Sequence, residues 1–301
     1  MAVDEGFIED KNDRLDSVPG SFVKSIQGLE PKIAKEIESL VSTLDTEGGN
    51  IILSEKNMAI IDSINKRLKD IIFDEHYEKS LTQFIGEFSK QADLNNEYFQ
   101  AASDIEFTPT SLYTNLLKVS QRNAIQLLNE DAFSQALIAP IQASLNAAVT
   151  TGQSFSDTLG QLRFIIEGDD KVDGRLISHV KRVAYDSFAI SDRAYTNTIA
   201  TDLGLEWYLY SGGKVKETRC FCDERKRKYF HKKEIQNWGD GKEVGDCGYP
   251  WQGMNANTDS ATIFFYAGGY NCKHSILPVS IKSVPKDVID RAVKKGYYKS
   301  K

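Results

Sequence analysis

The sequence predicts an α+β protein: an elongated, mainly helical N-terminal region followed by a small α+β C-terminal domain. Three observations carry this reading. Apolar residues recur at helical spacing over most of the first two hundred positions. Prolines are rare there, with Pro31, Pro109 and Pro140 between 21 and 200. After Gly204 the texture changes, and Gly, Trp, Tyr, Cys and short strand patterns concentrate up to about 282.

Residues 1–17 are charged and poor in apolar side chains, which predicts a flexible acidic tail. Pro19 and Gly20 punctuate the chain, and Ser21 is placed to cap a helix. Phe22, Ile26, Leu29, Ile33, Ile37, Leu40 and Leu44 then form one stripe, predicting a single helix of about six turns. Gly48, Gly49 and Asn50 end it. Met58, Ile61, Ile64, Leu68 and Ile72 form a second stripe. Further amphipathic stretches cover about 75–100, 110–130 and 133–149. Phe155, Leu159, Leu162 and Ile166 mark another over 155–167. Residues 169–205 read as a long helix stopped by Gly204, with Ile177, Val180, Ala184 and Phe188 on its apolar face. These helices make a bundle or hairpin over 18–203.

In "LEWYLYSGG", Leu205, Trp207 and Leu209 alternate with Glu206, Tyr208 and Tyr210. That is a strand running into a glycine turn, and it opens a small Cys/His-containing domain over 204–301. "PKDVIDRAVKK" reads as a short helix with Pro285 at its start.

The 301 residues suffice for two modest domains. A net charge of −6 argues against whole-protein attraction to nucleic acid or anionic lipid. No apolar run reaches the roughly 18–20 residues that span a bilayer, so no membrane partner is expected. The polar, acidic start lacks the pattern of an export signal. The four cysteines are therefore expected as reduced thiols or metal ligands rather than disulfides.

All four cysteines, with His231 and His274, lie beyond Gly204. Cys272 and His274 are two apart, a spacing that puts side chains on one face of a strand. With Cys222 and Cys247 they make four candidate ligands for a structural zinc ion. The competing reading is small buried cysteines packing a core, the usual fate of a free Cys. A nucleophilic Cys/His pair would need a distant base such as His231 and an orienting third group, and no catalytic residue is assigned. The run 214–233 interleaves Lys214, Lys216, Arg225, Lys226, Arg227 and Lys228 with Phe221, Tyr229 and Phe230. Such a pattern can follow a nucleic-acid backbone. Glu217, Asp223 and Glu224 make a solvated hairpin face the plainer alternative. Phosphate-binding loops, nucleophile elbows and the H-E-x-x-H metal motif are absent from the sequence.

The order of phrases in the C-terminal third is distinctive: "TR" (Thr218, Arg219), "FCDERKRKYF" (221–230), "IQNW" (235–238) and "GGYNCKHSILP" (268–278). It resembles the tailed-phage minor head proteins, or head morphogenesis proteins, of the phage Mu F and SPP1 gene-7 type. The likeness covers about 170–282. Arg227 stands where those proteins commonly have glycine, Lys273 where arginine is more frequent, and Cys220 and Cys247 are additions. The resemblance implies a minor structural protein of a phage head that is not an enzyme. It would associate with the portal protein or major capsid protein, with phage DNA as a further partner, and assist head assembly and DNA packaging or delivery. It would reside in the virion, and in the host cytoplasm during assembly. The alternatives are a metal-dependent nuclease and a zinc-stabilised nucleic-acid-binding module.

Overall fold

The apolar stripes become helices that each bury one face. The computed structural model describes residues 5–102, 108–212 and 218–299. In chain order come α1 (Glu5–Ile26), α2 (Leu29–Val41), the hairpin β1 (Thr46–Glu47) and β2 (Asn50–Ile51), α3 (Glu55–Ile72), α4 (Glu75–Ala102) and α5 (Ser111–Leu127). Then follow α6 (Glu130–Phe133), a π-helical turn (Ser134–Ile138), α7 (Ala139–Thr151), α8 (Phe155–Glu167) and α9 (Arg175–Asp202). The C-terminal part holds β3 (Trp207–Ser211), α10 (Cys220–Arg225), β4 (Lys228–His231), α11 (Lys232–Gly239), α12 (Ile263–Tyr266), β5 (Ser275–Val279) and α13 (Lys286–Lys294). The class is α+β, with long helices first and a small antiparallel sheet near the C-terminus. Among the described residues, no helix is long and apolar enough to cross a membrane.

The chain divides into two compact units. One comprises 20–84 and 124–184; the other comprises the described parts of 1–19, 85–123 and 185–301. The expected division at 17 and 203 is therefore corrected. Its physical reason is a shared core: Leu277 of β5 is buried with Ala92, Tyr98 and Phe99 of α4, Tyr113 of α5 and Ile199 of α9. The sheet domain and these helical segments have one interior.

In the first unit α2 packs on α3 and α8, and α7 packs on the same two helices. Ile33, Ile37, Ile64, Leu68, Leu145, Leu162 and Ile166 are buried where they meet. Ser54 and Ser154 cap α3 and α8 by accepting the N–H groups of Asn57 and Asp157. The single helix expected over 22–44 is two, because the chain turns at Gln27–Gly28. The break is short enough to keep the apolar spacing in step. Pro19 and Ser21 lie inside α1 and do not start a helix.

In the second unit the expected flexible tail is also corrected, since residues 5–17 belong to α1. Leu15 and Lys11 are 1 % exposed. Lys11 Nζ donates to Asp192 Oδ1 at 2.5 Å and to Asn95 Oδ1 at 2.6 Å. Gln91 and Asn95 side-chain amides donate to the same Asp192 oxygen at 2.9 Å. A buried charge persists only with such partners.

The sheet order is β4-β3-β5, antiparallel throughout, with Tyr210 opposite Lys228 and Ile276. The strand expected from the alternation over 205–210 is β3, and both of its faces are covered. Tyr208 and Tyr210 join Phe221, Ile235, Trp238 and Phe264 in one core. Trp207 and Leu209 join Val279 and the α13 residues Val288 and Ala292 in another.

Candidate metal centre

Three segments carry the Cys/His cluster. Tyr210 points from β3 into the first of those cores. The short helix α10 turns Phe221, Cys222 and Arg225 inward. The loop after α12 brings Gly268, Cys272 and His274. Cys272 and His274 precede β5, so strand alternation is not what pairs them. The chain reaches them through left-handed backbone at Gly269 and Asn271 (φ 99° and 54°).

The loop is gripped mainly at its carbonyl oxygens. Arg219 donates to Gly268 O (3.3 Å) and Tyr270 O (2.6 Å). Arg193 donates to Phe265 O and, at 2.6 Å, to Cys272 O. Trp251 Nε1 donates to Gly268 O at 3.1 Å. Asp186 accepts the Asn271 N–H at 2.6 Å. Trp251 also stacks on Phe221, with ring centroids 4.0 Å apart.

Inside this frame the Cys222 and Cys272 sulfurs lie 3.9 Å apart, and Cys272 Sγ is 3.8 Å from His274 Nδ1. All three residues are 3–4 % exposed. Tyr210 Oη donates to Cys222 Sγ at 3.3 Å, and the Gly268 N–H donates to Cys272 Sγ at 3.3 Å. A Cβ on Gly268 would come within 2.3 Å of the Cys222 sulfur, so only glycine fits there. At Gly212 (φ 138°) a Cβ would meet the His274 ring at 2.6 Å. The bond between the thiols holds Cys272 well below the ordinary thiol range and pushes Cys222 well above it. The buried Arg193 guanidinium acts on Cys272 in the same direction, favouring its thiolate form. Burial pushes the Tyr210 phenol well up.

Cys247 is not in this cluster, which corrects the expected four-ligand set. It forms a disulfide with Cys220, with Cα atoms 5.6 Å apart, so the expectation of four reduced thiols is corrected as well. Successive side chains on α10 diverge, so Cys220 is exposed while Cys222 is buried. His231 is also elsewhere. It caps α11 in a capping box with Glu234, and its ring lies edge-on to Trp207 on the opposite sheet face.

Of the six candidate nucleic-acid contacts, Lys214 and Lys216 lie outside the described residues. Arg225 is 4 % exposed and is corrected as a surface contact. Its guanidinium covers the Phe221 and Trp238 rings and donates to Phe221 O and Val244 O. Lys226 pairs with Asp223. Arg227 and Lys228 are exposed, Arg227 at a turn with φ 58°. Within the 214–233 run, for which a solvated hairpin face is the alternative, Cys220–Arg225 form the helix α10.

Arg193 was not legible as a site residue, yet a signal existed. It lies in step with Ala189, Thr196 and Ala200, which are all buried. An arginine in a buried helical stripe needs acceptors, and here they are loop carbonyls. No protein-family model, curated protein or solved structure matches the chain.

Proposed function

We propose that the chain is a minor structural protein of a phage head, associated with the portal or major capsid protein, that assists head assembly and DNA packaging or delivery. The carrying observation is convergence. Arg219, the "FC" pair Phe221–Cys222 and the "GGYNCKH" loop, far apart in sequence, meet at one buried centre. The phrases behind the resemblance are thus the parts that build the C-terminal core. The burial of Cys222, Cys272 and His274 also supports a structural role over a nuclease, because a phosphodiester cannot reach side chains 3–4 % exposed. A catalytic metal keeps an open position, which this centre does not offer.

The test is co-expression with the portal protein of the same virus, followed by affinity capture and protein analysis of purified particles. The expected result is capture of the full chain with portal and its presence in particles. Absence from particles together with no portal binding would overturn the reading.

A further inference from the structure

The two sulfurs and the imidazole of the buried centre lie at metal-ligand spacing, with the phenol against both sulfurs. A zinc ion bound at about 2.3 Å to sulfur and about 2.0 Å to nitrogen sets S···S near 3.8 Å and S···N near 3.5 Å. Here Cys222 Sγ and Cys272 Sγ are 3.9 Å apart, and Cys272 Sγ is 3.8 Å from His274 Nδ1. The three ligand atoms all lie within 4.8 Å of one another. Tyr210 Oη is 3.3 Å from one sulfur and 3.9 Å from the other.

We propose that Cys222, Cys272 and His274, with Tyr210 as the fourth ligand, form a structural site for one thiophilic divalent cation, Zn²⁺ being the ion that fits. Binding releases both thiol protons to solvent, so two thiolates neutralise the doubly charged ion. The site is neutral when filled, which suits its burial.

The surroundings agree. The Cys272 sulfur has a fixed donor outside the ligand set, the Gly268 N–H. Donors of this kind hold and tune metal thiolates. His274 turns Nδ1 to the sulfur, while its buried Nε2 has no hydrogen-bond partner. The ligands come from β3, α10 and the 267–274 loop, so one ion would tie the three pieces that the C-terminal core must bring together. The disulfide Cys220–Cys247 lies outside this set and, with Glu224, forms a separate group. The site draws only on this chain's own ligands, whichever partner the protein has.

The experiment uses the full chain from zinc-supplemented expression. Metal analysis is expected to give one zinc per chain. A Cys220→Ser/Cys247→Ser background then removes the exposed thiols. After chelation under reducing conditions, this variant is titrated with Co²⁺. The expected spectrum has the intense visible bands of a tetrahedral cobalt site and sulfur-to-cobalt charge transfer, saturating at one equivalent. Cys272→Ser and His274→Gln should weaken binding by more than about tenfold. Tyr210→Phe should keep the charge transfer but alter the visible bands. A folded full chain without zinc, whose background variant gives no thiolate–cobalt charge transfer, would overturn the site. So would a Cys222–Cys272 disulfide in freshly purified protein, or undiminished binding in a folded Cys272→Ser variant.

Discussion

The two units bury different kinds of side chain. Among the described residues of the 20–84/124–184 unit, no charged side chain is buried; Asn57, Ser80 and Thr158 are its buried polar residues. The other unit buries Lys11, Asp192, Arg193, Arg225 and Glu234, together with His231 and His274. Apolar stripes tolerate many partners, so helices such as α3 and α8 need only meet something oily. A buried charge needs a specific acceptor or counter-charge in a specific place. The second unit is therefore defined by pairings between distant segments: Lys11 with Asp192, Arg193 with Cys272 O, Arg291 with Glu234.

That contrast can be broken from either side. Asp192→Ala should have the largest effect. It strands the Lys11 ammonium and removes the acceptor shared by Gln91 and Asn95. The expected loss is about 3–5 kcal/mol in denaturant unfolding. Lys11→Met/Asp192→Leu should recover most of it, whereas a loss equal to the single variant's would refute the pairing account. In the apolar unit, Ile64→Ala should cost about 2–4 kcal/mol through the cavity it leaves in α3. No second substitution of a polar partner should rescue it.

A smaller test is pH-dependent. Burial pushes the Glu30 carboxyl up to about 7, against an ordinary value of 4.5. Between those values the folded chain binds more protons at Glu30 than the unfolded chain does. Stability of the apolar unit should therefore fall as pH rises through about 4.5 to 7 and then level off. Discounted for the partial exposure of the side chain, the change is on the order of 1 kcal/mol. Thermal unfolding between pH 5 and pH 8 reads it, and Glu30→Gln should flatten the slope. A slope unchanged in that variant would assign the effect to another group.

The same contrast explains what the sequence could disclose. The stripes of α3, α4 and α8 were legible because their burial needs only periodicity. Residues 5–17 read as a flexible tail because Lys11 looks solvated until Asp192, 181 positions away, is beside it. Arg225 resembled a phosphate contact, and only the tertiary fold lays it over Phe221 and Trp238. Cys272 and His274 were rightly paired, though a loop rather than a strand joins them. Cys247 was misassigned because its neighbour Cys220 lies 27 positions earlier, a proximity that spacing does not encode.

Every residue has a carbonyl oxygen, and most of the clamps on the 265–272 loop are bonds to carbonyls. Arg193, Arg219 and Trp251 therefore place few demands on the side chains they hold. Tyr270, 41 % exposed while its carbonyl is fixed by Arg219, can be exchanged without rebuilding the support beneath it. The loop is in this sense a display position: its outward chemistry is free to diversify, and a randomised library at 270 should yield folded proteins at high frequency. The same freedom ends two residues later, where the Cys272 side chain enters the interior.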